Sequence, residues 1–232
     1  MSPPKFFVIA RVVGRDGAMS LWKQRLVHLC GVSATEPYGD SYYWGEDLDG
    51  EPDTLWGLEG YTHPIGFFID HVSSDIFKRE MALVDKDELL RTKQGLDSPD
   101  YDLHHYDQDF GWLKRSNEEY DDFKASYVVI HHFHASSEDQ RGQVLAILRG
   151  FADWTADSQN ASSSGIQSCL VLRECRDRKM ATLWLRLETE DAYKNLESVS
   201  LVNLLGKLSA LCDRTEVHHS KSFGGFLGIK SG

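Results

Sequence analysis

The chain has 232 residues, 41% of them hydrophobic, six of them Trp, and a formal net charge of −11. This is ample material for a core, in one large domain or two small ones. The scattered Lys and Arg under an acidic total argue against a nucleic-acid partner. No apolar run approaches the roughly 20 residues of a membrane span.

Taken in chain order, FFVIARVV (6–13) reads as a buried strand and Gly14 to Gly17 as a turn. Residues 19–30 follow helical spacing, with Trp22, Leu26, Leu29 and Cys30 on one stripe and Gly31 as the stop. Strands are predicted at 41–48 and 54–61, joined through the turn signal Asp49-Gly50. A second helix runs from Ser74 to Leu90 with Phe77, Met81 and Val84 on one side, and residues 102–114 form the last strand. After a linker at 116–125 the plan repeats: strand 127–134, a helix opened by Ser136 and Asp139, strands 166–174 and 180–188, a long helix from Thr189 carrying Leu196, Val199, Leu204 and Leu208, and strand 216–229. The acidic runs 46–53 and 116–123 read as solvated loops.

Internal echoes support the repetition. DLHHYDQDFGWLKR (102–115) returns as EVHHSKSFGGFLGIK (216–230), FFVIARVV (6–13) aligns with YVVIHHFH (127–134), and TLW (54–56) recurs at 182–184. Three matches in one order indicate two copies of one supersecondary unit. The expected fold is α+β: two tandem βαββαβ, ferredoxin-like modules at 1–115 and 126–232. Each has a sheet with one bare face, which the other module would cover as in a symmetric dimer, giving an intramolecular dimeric α+β barrel.

Four Cys at 30, 169, 175 and 212 form no CxxC and no zinc spacing. Isolated thiols fit a reducing compartment, and MSPPKFFVIARVVG lacks a secretory layout, so a cytoplasmic protein is expected. No GxGxxG or Walker-type loop signals a nucleotide, and no cofactor or metal is expected.

The first module resembles the antibiotic biosynthesis monooxygenase family of dimeric α+β barrels. VIARV (8–12) is similar to the family's first strand. Glu36-Pro37 followed by Tyr42-Tyr43 resembles its EPG-to-strand passage, with Tyr38 where Gly is usual. Glu59-x-Tyr61 resembles its ExW stretch, and His71-x-x-Ser74-x-x-Phe77 its HxxSxxF helix entry. The second module matches by layout only, and the whole resembles a fused tandem version of a kind associated with fungal secondary metabolism. The family hosts cofactor-free oxidation of phenolic polyketides, haem degradation, cyclisation and isomerisation. The haem branch's axial His position holds Met81 and its first-strand Asn position holds Ala10, so haem chemistry is not expected.

The resemblance places His71 at the lip of a cavity, and a His can act as acid or base near neutrality; the second module has about Leu196 there. Glu59 and Tyr61 share a strand face. An inward Glu among aromatics has its pKa raised by desolvation and suits a general base; the alternative is an ion pair with Arg11 or Arg79. Tyr61, Trp56, Tyr42, Trp44, His63, Phe67, Phe77, Arg11 and His104 are the substrate-binding candidates. The apolar insertion THPIGFFID (62–70) reads as a lid, a pocket wall or a packed loop. In the pairs His104-His105, His131-His132 and His218-His219 only one member reaches a given face. They read as structural, with strand histidines converging on a metal as the lesser alternative.

Three functions stay open at this point. The first is a cofactor-independent oxygenase for a phenolic or polyketide-type molecule, the second a non-redox cyclase, dehydratase or isomerase in the same pocket, and the third a small-molecule binder. A small molecule is the expected partner, and a homodimer of the fused barrel is left open.

Overall fold

In the computed structural model, which describes residues 5–114, 125–157 and 164–228, the strands and helices follow the predicted order. The first series is β1 (Phe6–Val13), α1 (Met19–Ser33), β2 (Gly39–Asp47), β3 (Thr54–Tyr61), a π-helical turn (Gly66–His71), α2 (Asp75–Lys86) and β4 (Tyr101–Trp112). The second is β5 (Tyr127–Ala135), α3 (Glu138–Ala156), β6 (Ile166–Glu174), β7 (Met180–Leu187), α4 (Glu190–Leu196), a π-helical turn (Glu197–Leu201), α5 (Val202–Ser209) and β8 (Cys212–Phe226). The fold is mixed α+β. No helix among the described residues is long and apolar enough to cross a membrane. All but Ala125 of the expected linker lies outside the described residues.

Two compact units emerge, and neither is continuous in sequence. The first takes the chain through His105 and again from Ser220, and the second takes Tyr106 onward in β4 and then Ser126–His219. In the first unit the strands lie in the order β1-β3-β2-β8, antiparallel, with Ala10 and Trp44 both opposite Gly57. In the second the order is β8-β5-β7-β6-β4. The HH echo marks an equivalent backbone feature in each. The register against β6 slips between Gln108 and Phe110, just before Gly111 (φ 107°), and the register against β2 slips between Ser222 and Gly224, just before Gly225 (φ 137°). A Cβ would lie 2.2 Å from the Cys169 carbonyl oxygen at one and 2.2 Å from that of Tyr42 at the other. Only glycine fits both.

The TLW echo is not structurally equivalent. His134 aligns with Val13, and where Val13 faces Thr54, His134 faces Met180 and not Thr182. The pairing differs by two residues, which keeps each side chain on its expected face.

Several element ends differ from expectation for local reasons. Gly31 does not stop α1, which runs on to Ser33. That helix lacks a side-chain cap of its own; the N–H of its first residue, Met19, donates to the Asp53 carboxylate at 3.1 Å, which also accepts from Gly17 N before the helix at 2.9 Å. The β2–β3 connection is longer than a two-residue turn and is folded on the Asp47 carboxylate, which accepts from Asp49 N and Glu51 N. Ser74, read as the start of the second helix, caps α2 by accepting from Phe77 N at 3.1 Å, while α3 is capped by Ser137 rather than Ser136. The long helix from Thr189 is interrupted by the second π-helical turn, which leaves Val199 71% exposed rather than on the core stripe.

Candidate active site

Strand alternation sets the wall of the site. In the first unit Val8, Ala10 and Val12 of β1, Tyr42 and Trp44 of β2 and Glu59 of β3 share one face. Trp22, Leu26 and Leu29 of α1 and Phe77 and Met81 of α2 pack over it. The two layers leave a cavity of about 220 Å³ between them. Phe67 and Val72 close one side, and the exposed Leu96 and Leu103 also reach the lining. The helices are tied together by Arg25, which pairs with Glu80 at 3.5 Å and Asp87 at 2.6 Å, and by His28 on Glu80 at 2.8 Å.

Among the described residues, Glu59 is the one carboxylate on this wall. It is 7% exposed and accepts a hydrogen bond from the Tyr61 hydroxyl at 2.9 Å. Burial pushes its pKa above the ordinary carboxylate value; the charge of His71 and the Tyr61 hydrogen bond pull the other way, and Glu36 adds to the rise. Neither alternative ion pair forms, because Arg11 lies 3.8 Å from Glu51 and Arg79 lies 3.7 Å from Glu80.

His71 is not at the lip. It ends the π-helical turn, is 1% exposed, and packs behind the wall with ring centroids 5.9 Å from Tyr42 and 5.1 Å from Phe77. Its Nδ1 meets both oxygens of the Glu36 carboxylate, at 2.9 and 3.1 Å, which fixes the ring and leaves Nε2 buried without a hydrogen-bond partner. Burial opposes its charged form, but the hydrogen bond to Glu36 and the charges of Glu59 and Glu36 outweigh this and raise its pKa. The positive charge so favoured supports ionisation of Glu59.

Of the substrate-binding candidates, Tyr42, Trp44, Phe67 and Phe77 line the cavity. Tyr61 stands behind it as the partner of Glu59, and burial, then Glu59, raise its pKa well above the ordinary phenol value. Trp56 and Arg11 do not line it. They pair on the opposite face of β1 and β3, with the guanidinium 5.9 Å from the indole centroid and the indole N–H donating to Asp47 at 2.9 Å. His104 turns away beside Asp102, while Leu103 takes the cavity side. His63 instead accepts from Ile65 N at 3.1 Å and packs on Tyr38. In the insertion, Phe67 forms wall while Phe68 is exposed and stacks on His105 at 5.3 Å.

The second unit differs from the first at an equivalent wall position. His131 stands where Ala10 stands in β1, with its Nε2 3.3 Å from the Tyr193 hydroxyl. Burial, with the charges of His219 and His218, lowers its pKa to about 4. His132 turns to the other side, onto Thr182 at 2.9 Å. Among the described residues no three His, Cys, Asp or Glu side chains gather as a metal site would require.

No family profile and no curated relative matches the chain. Solved structures do match. A candidate monooxygenase from Fusobacterium nucleatum subsp. nucleatum superposes with a TM-score of 0.79 over 100% of this chain and 99% of its own, at 11% identity. Another from Lactobacillus acidophilus gives 0.71 over 97% and 96% at 10% identity. An anthrone oxidase-like protein gives 0.67 over 98% and 94% at 11% identity. At such identities the likeness is one of fold.

Glu36 is the site residue that sequence reasoning passed over. It lies in the α1–β2 loop, far from His71 in sequence, and its only signal was its place in the Glu36-Pro37 stretch.

Proposed function

We propose that the first unit is the working half of a small-molecule enzyme. It binds a flat, oxygenated aromatic compound of phenolic or polyketide type and removes a proton from it. The reading rests on Glu59, a single desolvated carboxylate on the wall of an otherwise largely apolar cavity. A base is most effective when its pKa approaches the working pH, and burial moves Glu59 in that direction. The Tyr61 hydroxyl holds the carboxylate in place, and the positive charge on His71, which Glu36 favours, helps keep it able to ionise.

The carbanion or phenolate so formed is electron-rich and reacts with O2. For an anthrone-type substrate the methylene loses two hydrogens and gains one oxygen atom, the second oxygen atom leaves as water, and the product is the quinone. The finer fold reading, two fused ferredoxin-like modules of which only the first keeps a cavity, belongs to this proposal. So does a role in secondary metabolism.

The test is O2 uptake and anthraquinone formation with anthrone, for the wild type and Glu59→Gln. The expected result is turnover in the wild type and a loss of about 100-fold or more in the variant. No uptake across anthrones and phenols sinks the oxygenase reading. Anaerobic deuterium exchange at the anthrone methylene without O2 uptake assigns the site to proton-transfer chemistry alone.

A further inference from the structure

The cavity is long and has a different polar group at each end. Val8, Ala10 and Val12 all line it, so it follows β1 over a rise of about 13 Å. Glu59 lies opposite Val8 in the ladder and marks the deep end. The start of β4 sets the other end. Val13 N donates to the Asp100 carbonyl at 2.9 Å, which brings Tyr101 beside the far end of β1. The exposed Leu96 and Leu103, near Tyr101 in the chain, also reach the lining, so the cavity opens on this side. Tyr101 lines the cavity as well and is half-buried. Its ring stands at right angles to that of Trp22, centroids 6.4 Å apart, and its hydroxyl lies 3.9 Å from the Met81 sulfur. Trp22 and Met81 are themselves cavity residues, so the phenol oxygen sits within the lining. A thioether is a weak acceptor, and a hydroxyl oxygen has two lone pairs of its own. Among the described residues no group donates to them. Burial, then the charges of Asp85 and Asp100, raises the pKa of this phenol and keeps it neutral.

We propose that the Tyr101 hydroxyl is the second anchor of the ligand, accepting a hydrogen bond from a hydroxyl at the end remote from Glu59. This rests on the functional reading above and narrows its substrate class. Glu59 and Tyr101 are acceptors at opposite ends of a largely apolar slot, so the fitting molecule is elongated and carries a hydroxyl at each end of its ring system. Among the described residues no Lys, Arg or His lines the cavity, so nothing there compensates a carboxylate, sulfonate or phosphate. The ligand is therefore uncharged. A site built to bond a ligand hydroxyl discriminates against the analogue that lacks it, and holding the far end at Tyr101 fixes the near end against Glu59.

The test is equilibrium dialysis of the full chain with 2,6-dihydroxyanthraquinone and its 2,3-isomer, at a pH where both are neutral. The first carries a hydroxyl at each end and the second carries both at one end. The wild type is expected to prefer the 2,6-isomer by about fivefold, the worth of one neutral hydrogen bond. Tyr101→Phe is expected to lose that preference by binding the 2,6-isomer more weakly, with its affinity for the 2,3-isomer kept. Met81→Leu, which removes the thioether and leaves the hydroxyl, is expected to keep the preference. A wild type without the preference, a Tyr101→Phe protein that retains it, or one that weakens toward both isomers alike overturns the assignment. The quinones are the oxidised form and need no turnover, so the catalytic reading fails separately: no O2 uptake with anthrones and phenols, with the Tyr101-dependent preference intact, sinks the oxygenase and leaves the anchor standing.

Discussion

Replacing Glu36 by Gln keeps the shape of the side chain and an acceptor oxygen for His71 but removes the charge. The pair it perturbs is well shielded, with side-chain exposures of 1% for His71 and 10% for Glu36, so solvent screening takes little from it. A hydrogen bond between charged groups is worth about 1.5–3 kcal/mol and a neutral one about 1 kcal/mol. Glu36→Gln is therefore expected to cost about 1–2 kcal/mol where His71 is protonated, or roughly 2–8 °C in Tm for a chain of this size.

The pH dependence carries a definite sign. The folded-state pKa of His71 is raised above its ordinary value of 6.5. The stabilisation is then complete below the unfolded pKa and is lost as pH rises through the folded one. A double-mutant cycle of Glu36→Gln and His71→Gln, read by urea unfolding, should give its largest coupling at about pH 6 and a smaller one at about pH 9.5. A coupling below about 0.5 kcal/mol at the acid end, or one that grows with pH, refutes the reasoning.

Glu59 titrates with the opposite consequence. Its pKa is raised in the fold, so the native state is penalised when pH exceeds the ordinary carboxylate value and the group is driven to ionise. Glu59→Gln is expected to be more stable than the wild type at about pH 8, by on the order of 1 kcal/mol, with the difference vanishing near pH 4; a difference that does not change with pH counts against a desolvated carboxylate. Gly111→Ala and Gly225→Ala should each cost at least about 2 kcal/mol in chemical denaturation, because both combine a left-handed backbone with a Cβ 2.2 Å from a carbonyl oxygen. They lie in different units and their effects should add within about 0.5 kcal/mol; a loss under about 0.5 kcal/mol in either shows that the backbone there relaxes freely.

What was legible in the sequence was whatever a local period encodes. The placing of Glu59 and Tyr61 on one face followed from spacing alone, and the helix starts read at Ser74 and Thr189 are where side-chain caps form. The same rule, applied strictly, also holds the correction for Trp56 and Arg11. Trp56 is an odd number of residues from Glu59, and Arg11 is next to Ala10, so neither could share the cavity face unless a bulge intervened, and none does between β1 and β3. Aromatic character drew Trp56 into the pocket; parity excludes it. His104 fails for the same reason beside Leu103.

Glu36 was out of reach because no period links a loop carboxylate to a residue at the end of a π-helical turn. Such a turn adds a residue to the helical ladder and rotates the residues after it. His71 ends that turn and, in place of the lip position that the resemblance implies, takes a buried one beside Tyr42 and Phe77. That displacement divides the labour of the site. The residue with the most convenient intrinsic pKa is committed to Glu36 and sets the local charge, and the carboxylate with the less convenient one faces the cavity, brought toward neutrality by burial. The two units also differ at one equivalent position of the sheet wall. Where β1 has the cavity-lining Ala10, β5 has the buried His131 bonded to Tyr193, so at that place one wall carries a small side chain and the other a large polar one committed to a protein partner.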